Sequence, residues 1–131
     1  MHIPVPQILR EITPDLVWHI PDPNGVFLTF DDGPTPAITE WILGQLAKYN
    51  AKATFFCIGK NAELYPELLD MIRAEGHAVG NHTHNHIKGW GRGAEEYMAN
   101  ITRADRILHT NLYRPPYGRF TPGQAVALSR A

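Results

Sequence analysis

The sequence predicts an α/β fold, with parallel strands joined by helical crossovers. Two observations predict it. Short apolar runs alternate with longer stretches of helical periodicity, in the order β-α-β-α-β-α-β-α. Three polar clusters, Asp31-Asp32, Asn81 to His86 and Arg114 to Gly118, each follow an apolar run, where folds of this class place their chemistry.

Residues 1–25 hold Pro4, Pro6, Pro14, Pro21 and Pro23 and read as an extended lead-in, with an edge strand expected at Leu16 to Ile20. The single domain is expected over 26–131. Val26 to Phe30 is a short apolar run closed by Asp-Asp and a Gly-Pro turn, which reads as a buried strand delivering two acids. Thr35-Pro36 opens a helix to about Tyr49, with Ile38, Trp41, Ile42 and Leu46 as its apolar stripe. Ala53 to Ile58 is the second strand. A helix from about Ala62 to Ala74 carries Leu64, Leu68, Leu69 and Ile72, and Glu75-Gly76 stops it. His77 to Gly80 is the third strand, and Asn81 to Gly93 is a polar, glycine-rich loop. Ala94 to about His109 is a helix with Tyr97, Ile101, Ala104 and Leu108 facing inward. Leu112 to Arg114 is a fourth short strand stopped by Pro115-Pro116, and Thr121-Pro122 starts a last helix in which the chain ends. Trp18 and Trp41 read as core.

Composition narrows the function. The formal net charge of -1 and the scattered lysines and arginines favour neither nucleic acid nor an anionic membrane as partner. No apolar run approaches the roughly 20 residues of a membrane span. The lone cysteine, Cys57, excludes an internal disulfide and reads as a buried structural thiol. The N-terminus shows no basic segment followed by an apolar one, so no signal peptide is expected; a cytoplasmic location is the default and the cell envelope the alternative.

Adjacent carboxylates repel unless a cation or proton lies between them, so Asp31-Asp32 points to a site rather than to a plain turn. His82-Thr83-His84-Asn85-His86 places three imidazoles in five residues: those at i and i+4 can reach one ion from a helical turn or a tight loop, and all three share a face in a strand. Two histidines and one carboxylate form a metal set with open positions, and the second carboxylate is then free to act as base toward a water whose pKa the ion lowers. Arg114 stands where it can hold a carboxylate by a bidentate pair, with a solvated turn as the bland alternative.

These residues resemble the polysaccharide deacetylases, the NodB-homology family of carbohydrate esterases. Thr29-Phe30-Asp31-Asp32-Gly33-Pro34 matches the family's first motif, His82 to His86 its second (His-Ser/Thr-x-x-His), and Arg114-Pro115-Pro116-Tyr117-Gly118 its third. The resemblance implies a partial (β/α) barrel, parallel strands with outer helices, acting on an N-acetylated carbohydrate, peptidoglycan- or chitin-like. By resemblance, Asp32, His82 and His86 bind a divalent metal, Zn2+ first and Co2+ or Ni2+ as alternatives. Asp31 is the general base, Arg114 orients it, Thr83 buttresses the loop, and the Tyr117 N–H helps hold the oxyanion. Pro116, Tyr117 and Trp90 are the candidates for substrate contact; for Trp90, local packing competes with sugar stacking.

After Gly118, residues 119–131 contain no Asp, His or Trp, so the family's two later motifs, including a histidine general acid, have no counterpart. The expectation is a truncated domain with only the first half of the barrel, slow in turnover and prone to self-association over its open sheet edges. The competing readings are a non-catalytic remnant that binds metal or glycan, and a hydrolase of cyclic amides. A serine esterase is disfavoured, because no Gly-x-Ser-x-Gly occurs.

Overall fold

The structure, a computed structural model, describes residues 11, 14, 16–18, 20–22 and 24–130. Most of the proline-rich lead-in lies outside the described residues, as does His19 of the expected edge strand; Leu16, Val17, Trp18 and Ile20 are described and belong to no strand. The elements are β1 (Leu28–Asp31), α1 (Ile38–Lys48), β2 (Ala53–Cys57), α2 (Gly59–Leu64), α3 (Pro66–Ala74), β3 (Ala78–Asn81), α4 (Ala94–Leu108) and α5 (Pro122–Leu128). No helix among the described residues is long and apolar enough to cross a membrane.

The strands form a parallel sheet in the order β1-β2-β3. A single parallel bridge from Asn81 to Tyr113 adds a fourth position beyond β3. The order runs along the chain without reversal. A barrel grows this way, whereas a doubly wound sheet reverses at a switch point. The fourth strand stays one bridge long because Pro115 and Pro116 follow with no N–H to extend the ladder.

Register assigns the two faces. Phe30, Phe55 and Val79 share one row, and Asp31, Phe56 and Gly80 the next. The first row packs with Leu43, Leu46, Leu69, Ile72 and Leu108 as the core between sheet and helices. Phe30 and Phe55 stack with centroids 5.2 Å apart. The second row faces the opposite side and ends in the site.

Several expectations need correction. The helix foreseen over 62–74 is two helices. Tyr65 precedes Pro66, whose ring disfavours helical backbone at that position, and Tyr65 takes φ −131°, ψ 61°. Leu64, placed on the inward stripe, is exposed in consequence. The first strand begins at Leu28. Val26 and Phe27 precede it and are 86% and 54% exposed, because β1 pairs only with β2 among the described strands. On α1 the buried face is Thr39, Leu43 and Leu46, so Trp41, expected in the core, is 65% exposed. Trp18 is also exposed. Trp41 instead lines an apolar cavity of about 320 Å3 with Leu28, Phe30, Ile42 and Tyr49 at the open flank of β1. The last helix ends at Leu128, short of the final residue. The inward face of α4, by contrast, is the one its spacing predicted: Tyr97, Ile101, Ala104 and Leu108 are all buried.

Candidate metal and acid–base site

The site lies past the ends of β1 and β3, where the chain turns under strain. Seven non-glycine residues among those described have left-handed backbone, and four of them are here: Asp32 (φ 71°), Thr83 (φ 64°), His86 (φ 53°) and Tyr117 (φ 58°). Such conformations cost about 1–3 kcal/mol each and persist only where the surroundings enforce them; for a β-branched Thr the strain is greatest.

That backbone brings Asp32, His82 and His86 together, each offering one ligand atom, all within 4.8 Å of one another. Asp32 Oδ1 lies 3.5 Å from His82 Nε2 and 3.1 Å from His86 Nε2. His82 is buried, and burial holds its imidazole below the usual histidine pKa against the opposing Arg114 carbonyl and Asp31. Its Nδ1 lies 2.7 Å from the Arg114 carbonyl oxygen. A carbonyl only accepts, so Nδ1 carries the proton and Nε2 presents its lone pair to the Asp32 carboxylate. Two acceptors facing each other call for a cation between them. A histidine fixed through its far nitrogen by a carbonyl is also the usual support of a metal ligand. The donor set and its geometry therefore fit a divalent ion.

Asp31, the other acid, has Arg114 as its partner. One guanidinium nitrogen donates to Asp31 Oδ1 at 2.7 Å and to Thr29 Oγ1 at 2.9 Å. The contact uses a single nitrogen where the sequence suggested a bidentate pair. The rest of the guanidinium lies over the Phe56 ring, 4.0 Å from its centroid. Sheet register explains the arrangement. Phe56 neighbours Asp31 on one side and Gly80 on the other. A Cβ at Gly80 would come within 2.4 Å of the Phe56 ring. Glycine leaves room for the ring, the ring carries the guanidinium, and the guanidinium reaches Asp31.

The remaining sequence-predicted residues divide. Thr83 is fully buried and accepts from the Ile87 N–H through Oγ1 at 3.1 Å. Pro116 is buried beneath the turn, and Tyr117 sets its exposed ring 4.8 Å from that of His86. Trp90 packs on the segment after the third motif rather than on the donor triad. Its Nε1–H donates to the Phe120 carbonyl at 3.3 Å, and the Arg119 guanidinium sits 5.1 Å from its ring centroid. The ring stays 56% exposed. Sequence reasoning missed Thr29, Phe56, Gly80 and Asn61, whose Nδ2 donates to the Asp32 carbonyl at 2.9 Å. Alternation could have found Thr29, two residues before Asp31 on the same face, and a glycine inside a strand marks a close approach.

Comparison with known proteins agrees with this geometry. The family model described as polysaccharide deacetylase matches residues 20–130. A peptidoglycan-N-acetylglucosamine deacetylase of Bacillus cereus is 41% identical over 105 residues, covering 76% of this chain and 38% of that protein. A chitooligosaccharide deacetylase of Azorhizobium caulinodans is 35% identical over 105 residues, covering 75% of this chain and 50% of that protein. Among solved structures, the peptidoglycan deacetylase PdaC from Bacillus subtilis superposes with a TM-score of 0.78 at 37% identity, covering 82% of this chain and 57% of that one. The chain thus spans half or less of these two relatives' length.

Proposed function

The chain belongs to the polysaccharide deacetylase family, and on that premise we propose that its site hydrolyses the acetamide of an N-acetylated sugar in a peptidoglycan- or chitin-like polymer or oligomer. One observation carries the reading: a carboxylate held by Arg114, Asp31, stands beside a separate Asp-His-His donor set. A site that only bound metal would have no use for the oriented second acid.

In this reading Asp32, His82 and His86 hold the ion. Two imidazoles and one carboxylate suit Zn2+, with Co2+ and Ni2+ as alternatives. The ion supplies Lewis-acid activation of water and of the acetamide carbonyl when bound. The chain's residues do the rest. Asp31 takes the proton from the attacking water, and Arg114 keeps its oxygen aimed. The Tyr117 N–H, presented from a left-handed turn, donates to the oxygen that gains charge. The exposed rings of Tyr117 and Trp90 contact the sugar, whereas Pro116, expected to do so as well, is fully buried and can only support the turn that presents Tyr117. The proton on Asp31 is then the one available to the departing amine, so turnover by these residues alone is slow. Self-association over the open flank of β1 belongs to the same proposal, supported by the exposure of Val26, Phe27 and Trp41.

The test is acetate release from N-acetylated oligosaccharides with added Zn2+, for the wild-type chain and Asp31→Asn. The expected result is Zn2+-dependent release that falls at least a hundredfold in the variant, while both bind Zn2+ alike. Zn2+ and glycan binding without release would favour the non-catalytic reading, and release from cyclic amides alone the third.

A further inference from the structure

The loop between β3 and α4 carries both histidines of the triad, and between them side chains satisfy the backbone donors of Thr83, His84 and Asn85. The Thr83 N–H donates to Asn81 Oδ1 at 2.9 Å. The N–H groups of His84 and Asn85 both donate to Asn100 Oδ1, at 2.8 Å and 3.0 Å. The carbonyls of Thr83 and His84 accept from the N–H groups of Gly59 and Lys60 at the start of α2, at 2.9 Å and 3.0 Å.

Asn81 closes β3 and Thr83 lies in the loop itself, whereas Asn100 reaches the loop from α4. Asn100 lies three residues after Tyr97 and four before Ala104, half-buried at the edge of the helix face that packs inward. A polar side chain there costs stability unless it is bonded, and one carbonyl oxygen uses both of its acceptor positions on the loop. The loop also fits a slot of fixed width. The His84 side chain is buried, and a Cβ at Gly59 would meet both His84 Nδ1 and Ala104 Cβ at 2.8 Å.

We propose that Asn100 is a positioning residue for the metal centre. By holding the His84 and Asn85 N–H groups it enforces the left-handed backbone of Thr83 and His86 on either side. That backbone sets the angle at which His82 and His86 present Nε2. Removing the acceptor lets the strained turn relax and the two imidazoles diverge. The proposal rests on the reading of Asp32, His82 and His86 as ligands.

The experiment titrates the full chain with Zn2+ and, separately, Co2+, comparing wild type, Asn100→Leu and Asn100→Asp. Leucine keeps the volume and removes the acceptor; aspartate keeps the acceptor. Asn100→Leu is expected to lose ten- to a hundredfold in Zn2+ affinity and to alter the Co2+ visible absorption, while Asn100→Asp stays within about threefold of wild type. A merely structural role would lower metal-free stability and leave affinity and Co2+ spectrum as in wild type, and that result overturns the proposal. So does an Asn100→Asp chain as weak as Asn100→Leu. If Asn100→Leu does not fold, Asn100→Ser is read by the same two measurements. Wild-type protein that binds neither ion refutes the ligand reading instead. The clamp is then judged by hydrogen exchange of the His84 amide in metal-free protein, where slow exchange supports it and fast exchange overturns it.

Discussion

Replacing Arg114 by methionine separates what its side chain does from what its main chain does. The side chain holds Asp31 and Thr29 and lies on Phe56; the main chain donates from N–H to the Asn81 carbonyl at 3.0 Å and accepts from His82 Nδ1 at 2.7 Å. Arg114→Met removes only the first set. The Asp31 contact joins side chains that are 36% and 37% exposed, so solvent screening reduces its worth to about 1 kcal/mol. The Thr29 hydrogen bond and the cation–π contact add about 0.5 kcal/mol each. The loss is then about 2 kcal/mol, or about 8 °C in melting temperature for a chain of this length. Thermal unfolding of metal-free protein measures it. Zn2+ affinity should stay within about threefold of wild type, because the carbonyl that fixes His82 is untouched. Acetate release should fall more than tenfold, because Asp31 loses its aim. Two results would refute the reasoning. An unchanged rate means that Asp31 needs no orienting partner, and a tenfold loss of Zn2+ affinity means that the side chain, not the carbonyl, supports His82.

Gly80→Ala tests the same chain of contacts from below. The added methyl turns the Phe56 ring and lifts Arg114 from Asp31, so stability should fall by about 1–3 kcal/mol and acetate release as in Arg114→Met; a variant equal to wild type in urea unfolding and in rate disproves the coupling. His77 tests the core's response to acid. It is buried, its Nδ1 accepts from the Ala53 N–H, and its pKa is lowered chiefly by burial and then by Lys52. The unfolded chain therefore takes up the proton first as pH falls. The stability is whole above about pH 6.5 and drains away between there and the lower folded pKa. Urea midpoints at pH 7.5 and 5.5 should drop more for wild type than for His77→Gln, and equal drops would count against a neutral buried His77.

The parts of the fold legible in the sequence are those where one segment carries its own evidence. The face of α4 follows from the spacing of four residues, and the polar clusters stand in the sequence as they stand in the site. What stayed hidden depends on relations between segments. Val26 and Phe27 have the hydrophobicity of buried residues, but burial needs a neighbour, and among the described strands β1 has only one. The support of Arg114 by Phe56 and Gly80 depends on sheet register, which no single run encodes. Two of these features do have a signal within one segment: Pro66 after Tyr65, which splits the helix, and Asn100, a polar residue at the edge of an apolar helix face.

Cys57 closes β2 in full burial, and its main-chain oxygen receives the His82 N–H at 2.9 Å. Burial pushes its thiol up to about 12, against the pull of Arg73. The sole sulfur nucleophile of the chain is thus linked through its backbone to the histidine loop and withheld from it. Ions that seek thiolate find only imidazole and carboxylate, and an oxidant meets no thiolate to attack. The fold thereby keeps the composition of its donor set independent of the redox state of its surroundings.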